Sequence, residues 1–223
     1  MKDEVVKYNR FFSKYPGFVA LDWRWVKAII WGRELIAGPD EPKGQWWRRP
    51  MQIGNPGDPA LGQLRSGAEG SALFVDKQLR NQLNTQPVVG DLNIKAGIAW
   101  LYTKLIKSLK HVSVVDDPTV RTYKLRPGQT LESLIKKHQG KQILKTTLEE
   151  LYRENGLNEN TAKSLRPQIL KYREAHDVED IESLNDWDTA TQQYHRKVDK
   201  PGEPPYLPDI RKAYERIKRN WPQ

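Results

Sequence analysis

The chain has 223 residues, no cysteine, four histidines and a formal net charge of +9. The lack of cysteine excludes disulfides and thiolate metal sites, and the histidines form no metal-ligand spacing, so we expect neither metal nor cofactor. No apolar run reaches the 18 or so residues of a membrane span, so we expect no transmembrane helix. The positive charge favours anionic partners. Most of it lies in residues 121–173, which hold 12 Lys and Arg against 5 Asp and Glu.

Helical spacing and stop signals predict several helices in the first half of the chain. Asp22 is the predicted N-cap of the second, since its side chain can accept a free backbone N–H. Asp91 is the predicted cap of the last, whose buried stripe would be Ile94, Ile98, Leu101 and Leu105. Residues 38–70, rich in Gly and Pro, predict a long irregular loop, and such loops are often functional. The predicted helices are Tyr8–Lys14, Trp23–Ile36, Ser71–Leu83 and Asp91–Leu109.

The basic middle segment predicts a different architecture. Tyr123–Arg126 alternates like a strand, Pro127 and Gly128 predict a turn, and Thr130 starts a helix. A second helix follows Thr146 or Thr147, and RPQILKY predicts a second strand. Helical periodicity then returns in DVEDIESLNDWDTATQQYHRK and in LPDIRKAYERIKRNW.

This middle segment resembles a LysM module, with Gln129 where the family usually has Asp. The resemblance rests on Tyr123–Leu131, Thr147–Leu151, Asn155–Leu157 and Leu165–Leu170. It implies binding of glycan chains that contain N-acetylglucosamine, such as peptidoglycan. The binding groove that it implies lies between two loops, formed by Gly128, Gln129, Thr130, Leu131, Asn155, Gly156, Leu157 and Asn158.

The flanking segments resemble the lysozyme-like fold of lytic transglycosylases and goose-type lysozymes. Four motifs occur in the family's order, although Leu35 replaces the usual Ser and His195 the usual Asn. They are Ala28–Glu34, Pro50–Gly54, Asn93–Gly97 and Ala190–His195. The resemblance implies that Glu34 is the catalytic acid, that Tyr194 orients or stabilises developing charge, and that Gln52 holds a sugar amide. It also implies substrate-binding roles for Met51, Asn93 and His195, while a packed helix tyrosine is the alternative for Tyr194.

The last lysozyme-like motif follows the LysM-like segment, so the sugar-binding module would be inserted within the catalytic fold. The expected fold class is therefore α+β, a mainly helical lysozyme-like domain with a small β-α-α-β domain inserted. The expected boundaries are 1–115, 120–175 and 181–223. The alternative is a lysozyme-like domain, a LysM module and an unrelated helical tail.

Glycosidic cleavage needs a proton for the leaving oxygen, and apolar burial raises a carboxyl pKa toward the required range. On a helix, Trp23, Ile30 and Glu34 lie within about 40° of each other, so Glu34 extends an apolar stripe. The alternative is a helix-end Glu paired with Arg33, Arg48 or Arg49.

An inverting hydrolase would need a second acid, for which Asp40 and Asp58 are candidates, Asp58 lying in an ordinary turn sequence. Trp46 and Trp47 predict either a sugar-stacking platform or a cover for the core.

The expected activity is that of a lytic transglycosylase acting on the MurNAc–GlcNAc β-1,4 bond of peptidoglycan. The alternatives are a hydrolytic muramidase and an inactive peptidoglycan-binding protein. Nucleic-acid binding is not expected, because the basic segment lacks interleaved aromatics.

The start MKDEVVKYNRFF has no apolar signal core. We therefore expect synthesis in the cytoplasm without a signal peptide, action in the periplasm or cell wall, and delivery by a secretion apparatus or phage-tail machinery. An antibacterial effector of this kind would have an immunity protein as a partner.

Overall fold

A computed structural model of the chain describes residues 1–36, 48–136, 142–163, 166, 168–195 and 206–221, with backbone only for residues 33–36 and 195. The described helices are α1 Lys2–Phe12, α2 Trp23–Ile36, α3 Ala60–Ser66, α4 Lys77–Thr85, α5 Gly90–Leu105, α6 Leu131–Ile135, α7 Leu148–Asn155, α8 Glu159–Ala162, α9 Trp187–His195 and α10 Tyr206–Asn220. The strands are β1 Ile106–Val114, β2 Arg121–Lys124, β3 Ile169–Tyr172 and β4 His176–Leu184. The fold is thus mixed α+β. Among the described residues, no helix combines the length and apolar character needed to cross a bilayer.

The chain forms two compact units. Unit 1 comprises Met1–Leu109 and Ile181–Gln223, and unit 2 comprises Lys110–Asp180. Unit 2 therefore interrupts unit 1 in the sequence, and both boundaries fall within strands, β1 and β4, that form one two-stranded sheet.

Helix α5 lies at the centre of the unit 1 core. Its residues from Ala96 to Thr103 are all buried, so α5 is enclosed on every side and not along one stripe as predicted. Helices α1, α3, α4 and α9 all pack against it. The predicted cap was wrong, because Val89 is the N-cap and the Asp91 carboxylate pairs with Lys95 at 3.0 Å.

Several predicted element boundaries in unit 1 differ from the structure. Helix α1 begins at Lys2, six residues before the predicted start, because Val5, Tyr8 and Phe12 place one buried face on the core. Helix α3 and a 3-10 turn at Ser71–Leu73 lie in segments predicted as loop and helix. Helix α5 ends at Leu105, since the chain continues as β1, and His176–Leu184 is strand β4 and not helix. Pairing between β1 and β4 outweighs the local helical periodicity.

Unit 2 has the strand–helix–helix–strand order predicted for residues 121–173, with the short helix α8 added. Strands β2 and β3 are antiparallel, with Tyr123 opposite Leu170. Thr130 caps α6 in a box with Ser133, and the Thr147 hydroxyl accepts the Glu150 N–H at 3.1 Å to cap α7. The small core consists of Leu125, Leu131, Leu134, Leu144, Leu151, Ala162 and Leu170.

Candidate functional site in unit 1

Three segments that are distant in sequence meet around Met51. The buried Asn93 side chain accepts the Met51 N–H at 2.8 Å and donates to the Ile53 carbonyl at 2.9 Å and the Val88 carbonyl at 3.2 Å. The Tyr194 hydroxyl donates to the Met51 carbonyl at 2.6 Å. We call Met51, Gln52, Ile53, Asn93 and Tyr194 the Met51 junction. It joins the segments Pro50–Gly54, Asn93–Gly97 and Ala190–His195.

The close approach of α5 to the Met51 junction depends on Gly97. A Cβ atom at this position would lie 2.3 Å from Met51 Cβ and 2.5 Å from Met51 Cγ. Real Cβ atoms do not approach so closely, so only glycine fits here without movement of Met51. Met51 itself is 2 % exposed, and its side chain is part of the core.

Gln52 is held in an unusual backbone conformation at the centre of the junction. Its φ is +58°, a left-handed region that costs a residue other than glycine about 1 kcal/mol or more. The hydrogen bonds of Asn93 and Tyr194 to the residues on either side maintain this conformation. Strained non-glycine residues cluster at functional sites, so Gln52 is a candidate ligand-contacting residue.

A cavity of about 230 Å³ opens beside the junction. It is lined by Met51, Gln52, Ile53, Asn55, Pro56, Gly57, Asp58, Pro59, Trp100 and Tyr194. Ligand pockets usually start at roughly 300 Å³, so this cavity has room for a substituent of a ligand but not for a long chain. The Asp58 carboxylate accepts the Gly54 N–H at 2.9 Å and the Ala60 N–H at 3.0 Å, so it shapes the loop and the start of α3.

Helix α9 brings Tyr194 to the junction. The Asp186 carboxylate accepts the Thr189 N–H at 2.7 Å at the start of this helix, and this backbone bond lowers the pKa of Asp186. The Trp25 indole N–H of α2 donates to the Thr191 hydroxyl at 3.0 Å. Thr191 precedes Tyr194 by three residues, so one helical turn of α9 carries contacts to both α2 and the Met51 junction.

The start of α2 is anchored by Asp22. Its carboxylate accepts the Arg24 N–H at 3.0 Å and the Tyr214 hydroxyl at 2.9 Å, and it pairs with the Arg24 guanidinium. Partial burial raises the pKa of Asp22, but the Arg24 and Tyr214 hydrogen bonds outweigh it and hold the pKa below its ordinary value. Burial, together with the Asp22 hydrogen bond, raises the pKa of Tyr214 to about 12.

Helix α2 includes Glu34, whose side chain lies outside the described residues. By helical periodicity, position 34 lies on a face of α2 whose other residues are half-buried. These residues are Trp23, Lys27, Ile30 and Trp31. The buried face of the helix is formed by Val26, Ala28 and Ile29. The predicted stripe is therefore a partly solvent-accessible face and not the core-facing one. On the core side, a Cβ at Gly32 would lie 2.4 Å from Ile210 Cδ1, so α2 and α10 pack closely.

The predicted substrate contacts have different outcomes. Asn93 is 0 % exposed, and its side chain bonds to the backbone of Met51, Ile53 and Val88. The prediction that it contacts substrate is therefore corrected: it supports the loop around Gln52. The Met51 side chain is likewise core. Tyr194 and Gln52 line the cavity, and their predicted roles stay predictions. Trp46, Trp47, Asp40 and the His195 side chain lie outside the described residues.

In unit 2, most predicted glycan-binding side chains have internal structural roles. Leu131, predicted as a glycan-binding residue, is 0 % exposed, and its side chain belongs to the core. Asn155 clamps β3 through the Lys171 N–H at 2.8 Å and the Lys171 carbonyl at 2.7 Å. The Gln129 side-chain oxygen Oε1 accepts the Arg126 backbone N–H at 2.9 Å.

The remaining predicted groove residues of unit 2 shape helix ends and turns. Thr130 and Asn158 cap α6 and α8, and Gly128 and Gly156 adopt positive φ. Leu157 packs against the unit 2 core. Gly128, Thr130, Gly156 and Asn158 are exposed, so their backbone and outer edges are accessible to a ligand.

Sequence reasoning missed an aromatic feature formed by α2 and Trp221, the residue that follows α10. The Trp31 and Trp221 rings lie 6.1 Å apart at 71°, and Lys27 Nζ lies 3.5 Å from the Trp221 ring centroid. The spacing of Lys27, Trp31 and Glu34 indicates one helix face, but the contribution of Trp221 requires the tertiary structure.

Comparisons with protein-family models, curated proteins and solved structures return no match to this chain. The described part of the chain also contains no group of three or more His, Asp and Glu side chains positioned to hold a metal ion.

Proposed function

We propose that the protein cleaves the β-1,4-linked glycan strand of peptidoglycan as a lytic transglycosylase, with Glu34 as general acid and base. The observation that carries this proposal is the Met51 junction. Three of the four motifs that resemble the lysozyme-like family, separated by up to 143 residues, meet there through direct hydrogen bonds. A chance match of short motifs gives no reason for such a meeting.

The reaction needs one carboxyl group that acts twice. Glu34 donates its proton to the leaving glycosidic oxygen as the bond breaks. The resulting carboxylate then takes the proton of the sugar's 6-hydroxyl, whose oxygen closes a 1,6-anhydro ring on the anomeric carbon. A general acid must hold its proton near neutral pH, and apolar neighbours favour the protonated form. Ile30 and Trp31 supply apolar surface one turn before position 34 on the same helix face.

The surroundings of Asp58 favour this reaction over hydrolysis. An inverting hydrolase needs a second carboxylate that activates water. Asp58 lines the cavity, but both of its oxygens already accept backbone N–H groups. It is therefore committed to the loop and is not the second acid in this proposal, which takes the sugar's own hydroxyl as the nucleophile; Asp40, the other candidate, lies outside the described residues. Gln52, held beside the cavity, would contact a sugar substituent such as an acetamido group.

Unit 2 would hold the glycan strand while unit 1 cleaves it. Support for this part comes from the LysM-like order of its elements and from its accessible loop ends at Gly128 and Gly156. In this proposal the backbone of the two loops, and not the buried Leu131 or the Asn155 clamp, makes the principal sugar contacts.

The decisive experiment is Glu34→Gln in the full chain, incubated with purified peptidoglycan and followed by mass spectrometry of the released fragments. We expect the wild type to release fragments with 1,6-anhydro ends and Glu34→Gln to lose at least about 100-fold in rate, the lower range for general acid catalysis. Glu215→Gln is a matched control, because Glu215 is an exposed residue of α10 whose partner is Lys218 on the same helix at 3.5 Å. It should retain full activity.

The other outcomes of this experiment are equally clear. Fragments with reducing ends would identify a hydrolase, and equal activity of Glu34→Gln would rule out the proposed role of Glu34. Sedimentation with insoluble peptidoglycan separates binding from cleavage. Wild-type protein that sediments with the polymer but releases no fragments would be a binding protein only.

A further inference from the structure

The two-stranded sheet of unit 2 has one face on the core and one face toward solvent. Successive residues of a strand point to opposite faces, and Tyr123 and Leu170, which are cross-strand partners, point toward the core. The alternate positions of both strands therefore point outward, and all of them are exposed. We call these residues the outer sheet face: Thr122, Lys124, Ile169 and Lys171.

Three cations lie on or beside the outer sheet face. Lys124 and Lys171 occupy diagonal positions of the paired strands, which places their Cα atoms about 7–8 Å apart. Arg126 is exposed and follows Lys124 by two residues, and the Leu125 N–H extends the strand pairing toward it by donating to the Gln168 carbonyl at 2.9 Å. Like charges this close repel each other, so a negatively charged surface that neutralises them is favoured.

The acidic residues of this segment lie elsewhere. All five acids between positions 121 and 173 are glutamates of α6, α7 and α8. Three of them already have partners outside the outer sheet face: Glu150 and Glu154 pair with Arg153 and Arg173, and Glu159 pairs with Lys163. Within the described parts of the chain, no carboxylate pairs with Lys124, Arg126 or Lys171. Their charges are therefore available to an anionic partner.

An exposed aliphatic side chain lies among these cations. Ile169 is the cross-strand partner of Lys124 and is 67 % exposed. The aromatic residues of both strands, Tyr123 and Tyr172, pack against the core instead, so the outer sheet face has no ring on which a base could stack. A hydrophilic polyanion would leave Ile169 in water. An apolar side chain flanked by cations matches the boundary between anionic headgroups and acyl chains of a membrane.

The size of the outer sheet face also favours a membrane over a protein partner. Strands β2 and β3 have four residues each, so the face is about 13 Å long and two strands wide. A specific protein interface covers about 800 Å² on each partner, which is far more than this face offers. A lipid surface needs no matching shape, because charge attraction and the burial of one apolar side chain both act on a fluid surface.

We propose that the outer sheet face binds an anionic lipid surface. Lys124, Arg126 and Lys171 lie at the headgroups, and Ile169 enters the boundary with the acyl chains. Each cation strengthens such binding about fivefold, so three cations and one isoleucine give half-maximal binding at on the order of 1 mM accessible lipid. The inference uses neither Glu34 nor glycan cleavage, so its test is independent of the proposed function.

Sedimentation of the full chain with lipid vesicles tests this proposal. Vesicles of phosphatidylcholine alone are compared with vesicles of phosphatidylcholine and phosphatidylglycerol in equal parts, at physiological ionic strength. The variants are Lys124→Gln, Lys171→Gln and Ile169→Thr, the last of which keeps a β-branched residue in the strand. Lys163→Gln is the matched control, because Lys163 is an exposed lysine of unit 2 that follows α8 and pairs with Glu159 at 3.3 Å. Circular dichroism checks the fold of each variant.

We expect the wild type to sediment with the anionic vesicles only. Lys124→Gln and Lys171→Gln should each lower the partition coefficient about fivefold, because each removes one cation from the headgroup region. Ile169→Thr should lower it by a similar factor of about five, because a hydroxyl and a methyl group replace the longer apolar side chain. Lys163→Gln should remain within about twofold of the wild type, since its charge is already paired and lies outside the face.

Several results would overturn the proposal. These are equal binding to neutral and anionic vesicles, and no binding to either at about 10 mM lipid, tenfold above the expected midpoint. Equal losses for Lys163→Gln and Lys124→Gln would assign the binding to net charge and not to this face. If Ile169→Thr binds vesicles like the wild type, and the lysine variants also lose binding to soluble polyphosphate, the face binds soluble polyanions and the lipid assignment is wrong.

Discussion

Gly97→Ala tests whether the Met51 junction is as tightly packed as the structure indicates. Gly97 lies inside α5, where replacing glycine with alanine normally stabilises a helix by about 1 kcal/mol. Here the new methyl group would lie 2.3 Å from Met51 Cβ, 2.5 Å from Cγ and 2.8 Å from Cε. Because the Met51 N–H donates to Asn93 and the Met51 carbonyl accepts from Tyr194, the backbone of Met51 is held in place and cannot simply move away.

The overpacking should outweigh the helix propensity. Inserting a methyl group into a packed core costs about 1–3 kcal/mol, so after the gain in helix propensity we expect a net destabilisation of up to about 2 kcal/mol. For a protein of this size, that lowers the melting temperature by up to about 8 °C. Displacement of Met51 should also shift Gln52 beside the cavity. The rate of peptidoglycan cleavage should therefore fall by more than the fraction of protein that is unfolded.

Thermal unfolding followed by tryptophan fluorescence measures this change in unit 1, where all the tryptophans lie. Gly62→Ala is the matched control, because Gly62 lies in α3 and a Cβ there meets nothing within 4 Å. It should be neutral or stabilising by up to about 1 kcal/mol. A Gly97→Ala protein as stable as Gly62→Ala would refute the packing argument, since helix propensity would then dominate at both positions.

Further predictions concern the supports of the site. Asn93→Ala removes the side chain that bonds to the backbone of Met51, Ile53 and Val88. The free energy of unfolding, measured in urea, should therefore fall by about 3 kcal/mol. A decrease below about 1 kcal/mol would contradict the role assigned to Asn93. The folded-state pKa of Asp22 is depressed, so its contribution to stability is present above the ordinary pKa of 3.8 and is lost as the pH falls through the folded value. Asp22→Asn should therefore be less stable than wild type at pH 7, with the difference shrinking below about pH 4 in melting experiments; a difference independent of pH would contradict this.

The local signals in the sequence were sufficient for much of the architecture. Asp22 before α2, Thr130 before α6 and Thr147 before α7 are caps that act within a few residues, so they can be identified without tertiary information. The β-α-α-β order of unit 2 follows from the same short-range patterns.

Tertiary pairing decided the elements whose local pattern was ambiguous. DVEDIESL has helical composition, yet it forms β4, because β1 supplies hydrogen-bond partners that the sequence does not reveal. The same pairing ends α5 at Leu105. Helix α1 starts earlier than predicted because its buried face extends back to Val5.

For the candidate site, the sequence by itself determined which segments to examine, since the motifs around Met51, Asn93 and Tyr194 can be read in order along the chain. Only the tertiary structure decided what these side chains do. Asn93 belongs to a motif, but its burial commits it to the backbone of Met51 and Ile53. Trp221 belongs to no motif, yet it joins Lys27 and Trp31 because α10 packs on α2. Burial and hydrogen-bond partners arise between distant segments, so a one-dimensional pattern can name such residues but cannot assign their contacts.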